Sequence, residues 1–237
     1  MVKNLLLISN STLHGSGYLD HCADEIKKFL VDKKSILFVP YARPGGMTHD
    51  EYTGIARARF EKIGIELSGV HEYDDPVEAV KNAEAMFIGG GNTFVLIKGL
   101  YENNLVEIIR KKVSEGMPYI GTSAGSNVAT KSVKTTNDMP IVYPPSFDAL
   151  NLVPFNINPH YIDPNPDSRH MGETRETRIK EFHFYNNDYV IGLREGAMLH
   201  IVDDKIKLKG TTGARLFKDG EEAKEFKPGD SLGFILK

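Results

Sequence analysis

A serine at position 123 lies in a sequence context that suits nucleophilic chemistry. It is the central residue of a Gly-x-Ser-x-Gly pattern, Gly121–Gly125, which follows an apolar stretch typical of a buried strand. A sharp turn from strand into helix at this pattern would lift the Ser123 hydroxyl clear of the backbone and aim the amide of Ala124 at the same space. The alternative is a tight structural turn in which Ser123 has no chemical role.

A serine hydroxyl needs a base to take its proton, and histidine is the usual base. Of the eight histidines, His160 is the preferred candidate, because the proline-ended run Asn156–Pro159 places it at an expected strand end. The histidine in turn needs an acid that orients it. Two carboxylates are open for that role: Asp138, in a loop after the serine, and Glu195, just after the apolar run Tyr189–Leu193.

A second glycine-rich turn, Gly89–Gly91, also follows a predicted strand. Its amides could cradle an anion, although the lysine-serine ending of a P-loop is missing. They could instead supply the second half of an oxyanion hole, with Gly90 or Gly91 donating a hydrogen bond next to the serine. The plainest alternative is a tight turn whose following helix is capped by Asn92 or Thr93.

The scaffold that would bring these residues together is an α/β fold. Apolar runs predict strands at residues 4–9, 35–41, 67–71, 85–88 and 118–121. Helical spacing predicts helices at residues 17–30, 49–63, 75–82, 93–101, 105–113 and 173–182. This alternation favours a doubly wound, mostly parallel sheet with helices on both faces. Such sheets bind ligands beyond the carboxyl ends of their strands, where Ser123 and Gly89–Gly91 would both lie.

The second half of the chain changes character. Seven prolines fall between Pro140 and Pro166, which predicts a loop-rich segment. After Tyr189, short apolar runs separated by turn signals predict an antiparallel meander that closes the sheet or forms a second small one. Because no linker or internal repeat divides the chain, we expect a single domain over residues 1–237.

Composition narrows the class of protein. The chain is 41% hydrophobic and 26% charged with a net charge of −3, as in ordinary globular proteins. No basic block suggests a nucleic-acid partner, and no apolar stretch is long enough for a membrane span. The single cysteine, Cys22, excludes an intramolecular disulfide and a cysteine-rich zinc site. We therefore expect a cytoplasmic protein that binds neither nucleic acid nor membrane.

Six blocks of the sequence, taken in order, resemble peptidase E, the α-aspartyl dipeptidase family of serine peptidases. The blocks are GGGNTF, IGTSAGSN, TTNDMPIV, FDALNL, INPH and GETRETRI, which begin at residues 89, 120, 135, 147, 157 and 172. The likeness runs from Ser9 to Gly196 and so covers most of the chain. It implies a fold similar to that of class I glutamine amidotransferases and hydrolysis of dipeptides with an N-terminal aspartate, without a metal or other cofactor.

The resemblance also implies roles for individual residues. By this likeness Ser123 is the nucleophile that forms an acyl-enzyme, and His160 is its base. Asp138 and Glu195 both match residues that the family offers as the third member of the triad, so the choice between them stays open.

Arg175, in the GETRE block, matches an arginine placed to hold the aspartyl carboxylate of the substrate. An arginine suits this role because it binds a carboxylate through two parallel hydrogen bonds. The alternative is a helix-surface arginine beside Glu173 and Glu176, where exposed ion pairs have little value.

Two other functions stay open at this point. One is a cyanophycinase-like peptidase that cuts β-aspartyl links on the same fold. The other is a non-catalytic module that binds a small anion at Gly89–Gly91. For the favoured function we expect a small dipeptide with an N-terminal aspartate as the binding partner, and a monomer or homodimer.

Overall fold

The computed structural model describes residues 3–165, 167, 169 and 171–236. The loop expected at Pro166 and the histidine His170 therefore fall outside the described residues. Among the described helices, none combines the length and apolar character needed to cross a bilayer.

The described chain alternates strands and helices through its first half. The strands are β1 (Asn4–Ile8), β2 (Ser35–Val39), β3 (Glu66–Gly69), β4 (Met86–Ile88), β5 (Tyr119–Thr122), β6 (Asn156–Pro159), β7 (Val190–Leu193), β8 (Ala197–Val202), β9 (Lys205–Gly210), β10 (Ala214–Phe217) and β11 (Lys224–Phe226). The α-helices are α1 (Ala23–Phe29), α2 (His49–Glu61), α3 (Pro76–Asn82), α4 (Thr93–Glu102), α5 (Leu105–Ser114), α6 (Ala124–Val128) and α7 (Arg175–His183).

The larger sheet has the order β3-β2-β4-β5-β1-β8-β9 within the described residues. Its first five strands run parallel, and β8 and β9 add an antiparallel edge beside β1. The prediction of an α/β fold with a large, mostly parallel sheet is therefore confirmed. The carboxyl ends of β2, β4, β5 and β1 lie side by side, and this edge carries the site described below.

Both faces of the larger sheet are buried, which explains why its strands are apolar throughout rather than alternating. Successive side chains of a strand point to opposite faces. Leu6 and Phe87 pack on the side of α1 and α2, whereas Leu5 and Met86 pack on the side of α4 and α5. Full burial of one such side chain contributes about 1.5–3 kcal/mol, so this double layer forms the main core.

A smaller sheet has the order β11-β10-β7-β6 among the described strands. Its β6 and β7 run parallel, and β7, β10 and β11 are antiparallel neighbours. The segment after Tyr189 thus realises both predicted outcomes: β8 and β9 extend the larger sheet, and the other strands form a second one. The smaller sheet matters for the site because His160 follows β6 and Glu195 follows β7.

One predicted helix is shorter than expected. The spacing predicts a helix over residues 17–30, but α1 begins only at Ala23, after a 3-10 turn. Leu19 has a left-handed backbone (φ 57°), and the Gly17 amide donates to the Asp20 carboxylate in a local turn. A residue with positive φ cannot continue a right-handed helix, so the chain must turn before α1 can start.

Helix starts follow the capping chemistry of the sequence. Asn92 accepts hydrogen bonds from two amides at the start of α4, which confirms the expected cap there. Thr174 caps α7, so that helix begins at Arg175 rather than at residue 173 as predicted. The strand predicted at 67–71 ends at Gly69, because a 3-10 turn follows it directly.

Candidate active site

Ser123 occupies the sharp turn between β5 and α6. Its backbone has φ 52° and ψ −112°, a conformation that non-glycine residues rarely adopt and that costs about 1–3 kcal/mol. The flanking glycines make the turn sterically possible. A Cβ atom at Gly121 would lie 2.5 Å from the carbonyl oxygen of Gly125, and one at Gly125 would lie 2.1 Å from that of Ile88. The Gly-x-Ser-x-Gly pattern is therefore required by close backbone packing.

The imidazole of His160 lies against the serine. Its Nε2 atom is 2.9 Å from Oγ of Ser123, within hydrogen-bonding distance. His160 directly follows β6 and also has a positive φ of 51°. Both residues thus adopt strained backbone conformations at the ends of buried strands, a feature that often marks functional positions.

The other ring nitrogen of His160 contacts Glu195. The distance between His160 Nδ1 and Glu195 Oε1 is 2.6 Å. A carboxylate at Nδ1 favours the tautomer with its proton there, which leaves Nε2 as the acceptor for the Ser123 hydroxyl. The three side chains form a Ser-His-Glu series with the geometry of a catalytic triad.

Asp138, the other carboxylate considered from the sequence, makes different contacts. Its Oδ2 atom accepts hydrogen bonds from the amide of Thr93 (2.8 Å), the hydroxyl of Thr93 (2.7 Å) and the hydroxyl of Thr136 (3.1 Å). The structure therefore brings Glu195, and not Asp138, to the imidazole. Asp138 instead fixes the start of α4 to the loop that carries it.

The predicted oxyanion-hole residues surround the serine. A Cβ atom at Gly90 would lie 3.0 Å from Cβ of Ser123, so this glycine allows the two turns to approach closely. Ala124 follows the serine directly. The amides of Gly90, Gly91 and Ala124 donate no hydrogen bond to any residue in the described ranges. Unpaired amides beside a nucleophile are the donors that an oxyanion needs.

A cavity of about 430 Å³ opens at this edge of the sheet. This volume suits a small ligand. Its lining residues include both turns, the serine and the histidine: Ser11, Arg43, Gly90, Gly91, Ser123, Thr136, Asn137, Asp138, Pro159, His160 and Arg175.

Arg175, the first residue of α7, brings a positive charge to the cavity. Burial and the neighbouring Arg178 lower the pKa of its guanidinium, and Asp138 raises it in the opposite direction. Glu173 pairs with Arg178, and Glu176 pairs with Lys180 and Arg215. The simple alternative of an arginine paired with these two glutamates is therefore wrong.

The family model for Peptidase family S51 matches residues 5–209 of the chain. This chain belongs to peptidase family S51. The resemblance to peptidase E noted from the sequence is confirmed, and so is the prediction of a serine-type dipeptidase.

Relatives of this S51 peptidase match along their full lengths. A Drosophila melanogaster protein named probable alpha-aspartyl dipeptidase is 48% identical over 238 residues, which cover 99% of this chain and 98% of the relative. A Streptomyces coelicolor protein named peptidase E is 49% identical over 233 residues, which cover 98% and 95% of the two chains. A peptidase E of a Nostoc species is 50% identical over 242 residues, which cover 100% and 98%.

Two solved structures share the fold of this S51 peptidase. A peptidase from an acI-B1 actinobacterium superposes with a TM-score of 0.75 and 20% identity, over 98% of this chain and 97% of the other. A putative peptidase E from Listeria monocytogenes gives a TM-score of 0.65 and 20% identity, over 90% of this chain and 100% of the other. At this level of identity the likeness shows the fold alone.

Ser9 is a residue of the S51 peptidase site that the sequence analysis did not single out. Its buried hydroxyl accepts the amide of His160 at 2.9 Å and donates to the carbonyl of Leu193 at 2.8 Å. The next side chain, Asn10, accepts the amide of Gly196 at 2.8 Å. The end of β1 thus holds the histidine and both sides of Glu195. The signal was available, since both residues directly follow a predicted strand at the ligand-binding edge.

Arg43 is a second residue that the sequence analysis missed. Its guanidinium lies over the ring of Tyr52, 4.4 Å from the centroid, and its Nε is buried without a partner in the described chain. The Tyr52 hydroxyl donates to the carbonyl of Gly90 at 3.1 Å. Arg43 follows the strand β2 at the same sheet edge as the serine, which is the signal that could have identified it.

Proposed function

We propose that the protein is a serine dipeptidase that hydrolyses Asp-Xaa dipeptides through an acyl-enzyme. The observation that carries this proposal is the continuous series of contacts from Ser123 Oγ through the imidazole of His160 to Glu195, at 2.9 Å and 2.6 Å. A nucleophile, a base and an orienting acid at these distances are the requirement for acyl transfer by a serine.

In the proposed reaction, His160 Nε2 takes the proton of Ser123 as its Oγ attacks the peptide carbonyl. The amides of Ala124 and of Gly90 or Gly91 stabilise the resulting oxyanion. The imidazolium, stabilised by Glu195, then gives its proton to the leaving amine as the C–N bond breaks. A water molecule, deprotonated by the same imidazole, hydrolyses the acyl-enzyme and restores the serine.

Selectivity for aspartate is assigned to Arg175. This arginine lines the cavity and makes no hydrogen bond or ion pair with a described residue, so its charge is available to a ligand. A bidentate bond to the aspartyl carboxylate would favour aspartate over uncharged side chains. The printed name of the Drosophila melanogaster relative, probable alpha-aspartyl dipeptidase, supports this substrate class.

Three wider proposals accompany this function. A fold like that of class I glutamine amidotransferases is supported by the nucleophile turn after β5, inside the parallel part of the sheet. One peptidase domain is supported by the triad itself, since Ser123 follows a strand of the larger sheet and His160 and Glu195 follow strands of the smaller sheet. The cytoplasmic location stays a prediction from composition.

The test is a substrate panel of Asp-Leu, Asn-Leu and β-Asp-Leu, assayed with and without EDTA. The proposal predicts hydrolysis of Asp-Leu that EDTA does not change, and a kcat/KM for Asn-Leu about 100-fold lower or less. Preference for β-Asp-Leu would favour the cyanophycinase-like alternative. Absence of turnover on every substrate would favour the anion-binding module.

A further inference from the structure

We propose that Arg43 binds the free C-terminal carboxylate of the residue that leaves, and thereby restricts the enzyme to dipeptides. The inference rests on the proposed function, because it assigns a second carboxylate of the same substrate. It gives the cavity two arginines with separate tasks: Arg175 recognises the aspartyl side chain, and Arg43 recognises the end of the peptide.

The first support is that Arg43 is a cation without a partner inside the cavity. It lines the same cavity as Ser123 and Gly90. Its Nε atom is buried and has no hydrogen-bond partner in the described chain, and no described carboxylate forms an ion pair with its guanidinium. Burying a charged donor without an acceptor is unfavourable, so this geometry is best completed by an anionic ligand.

The second support is that the guanidinium is held in place. It lies on the ring of Tyr52, and Tyr52 packs against Phe38 at a centroid distance of 5.0 Å. The hydroxyl of Tyr52 also donates to the carbonyl of Gly90, whose amide is a proposed oxyanion donor. Tyr52 therefore fixes both the arginine and the glycine turn, so a carboxylate bound by Arg43 would have a defined position relative to the scissile carbonyl.

The third support is the side from which each arginine enters. Tyr52 belongs to the core layer of α1 and α2, and so Arg43 lies toward that face of the sheet. Arg175 lies near Asp138, which is bonded to Thr93 of α4 on the opposite face. The two cations thus flank the nucleophile from opposite sides.

This arrangement matches the chemistry of an Asp-Xaa dipeptide. Its two carboxylates lie on opposite sides of the scissile amide, one on the aspartyl side chain and one at the end of the leaving residue. In a tripeptide an uncharged amide would replace the terminal carboxylate and leave Arg43 unpaired. Loss of one charge-assisted bidentate contact of this kind is worth about 10- to 100-fold in kcat/KM.

The experiment compares kcat/KM for Asp-Leu, Asp-Leu-amide and Asp-p-nitroanilide, of which only the first has a terminal carboxylate. Wild type is expected to prefer Asp-Leu over Asp-Leu-amide by about 10- to 100-fold. Arg43→Gln should abolish that preference, and it should lower kcat/KM for Asp-Leu about tenfold more than for Asp-p-nitroanilide. Arg43→Lys, which keeps the charge but not the fork, should give an intermediate preference.

Arg57→Gln is the matched control, because Arg57 pairs with Glu72 and does not line the cavity. It should keep the wild-type preference. A preference for Asp-Leu that survives in Arg43→Gln would overturn the inference, as would a wild type that cleaves Asp-p-nitroanilide without preferring the free acid. A wild type that cleaves none of the three substrates would overturn the proposed function as well, so the two failures are distinguishable.

Discussion

The Nδ1 atom of His160 lies 2.6 Å from Oε1 of Glu195, and this contact joins residues that follow two neighbouring strands of the smaller sheet. The parallel pairing of β6 with β7 places Pro159 opposite Leu193, so the residues that follow both strands are brought to the same edge. Ser123 reaches the same point from the larger sheet. The proposed triad is therefore assembled where the two sheets meet.

Glu195→Gln should lower kcat far more than Asp138→Asn. The first change removes the charge that stabilises the imidazolium and should reduce kcat by about 10²–10⁴-fold. The second changes a carboxylate that accepts hydrogen bonds from Thr93 and Thr136, and should reduce kcat/KM by only about tenfold. Steady-state kinetics on Asp-Leu would measure both. A larger loss of kcat in Asp138→Asn than in Glu195→Gln would refute the assignment of Glu195.

Ser9→Ala should reduce kcat while leaving KM nearly unchanged. The hydroxyl bonds the amide of His160 and the carbonyl of Leu193, and its loss lets the imidazole and Glu195 shift against Ser123. We expect a loss of about tenfold in kcat, because displaced catalytic groups lose transition-state stabilisation. The matched control is Ser132→Ala, a buried serine outside the cavity that contacts Asn156. Equal kcat values in the two variants at similar Tm would contradict a positioning role for Ser9.

Gly125→Ala should prevent folding or lower Tm strongly, because its Cβ atom would lie 2.1 Å from the carbonyl oxygen of Ile88. Gly54→Ala is the comparison. Gly54 lies inside α2 with no atom within 4 Å of an added Cβ, so alanine there should stabilise the protein by about 0.5–1 kcal/mol. Thermal unfolding followed by circular dichroism would measure both. A Gly125→Ala protein with wild-type Tm would show that the turn is not packed as described.

Cys22 should be unreactive in the native protein. The side chain is buried, and this burial raises the pKa of the thiol to about 12. Since the thiolate is the reactive form, a thiol reagent such as DTNB at about pH 8 should label native protein very slowly and unfolded protein at once. Rapid, complete labelling under native conditions would mean that the helix α1 opens readily or that the thiol is exposed.

The sequence predicted the turn at Ser123 and the base at His160 because both depend on local signals. Each residue follows an apolar strand, and strand ends collect at one edge of a parallel sheet. The choice between Asp138 and Glu195 could not be made in this way. Both lie in loops, and only the pairing of β6 with β7 distinguishes them.

Other features needed tertiary information. The left-handed backbone at Leu19, which delays the start of α1, has no signal in a leucine side chain. Ser9 looks like any polar residue after a strand until its partners, 151 and 184 positions away along the chain, are known. Arg43 shows its importance only through the ring of Tyr52 and the absence of an acid beside it.

The most direct test of the central claim is the hydrolysis of Asp-Leu by Ser123→Ala, compared with wild type at equal concentration and matched Tm. If the Ser123 hydroxyl is the nucleophile, removing it should lower kcat by about 10⁴-fold or more. A Ser123→Ala protein that retains kcat within about tenfold of wild type would contradict the account, since positioning changes alone produce losses of that size.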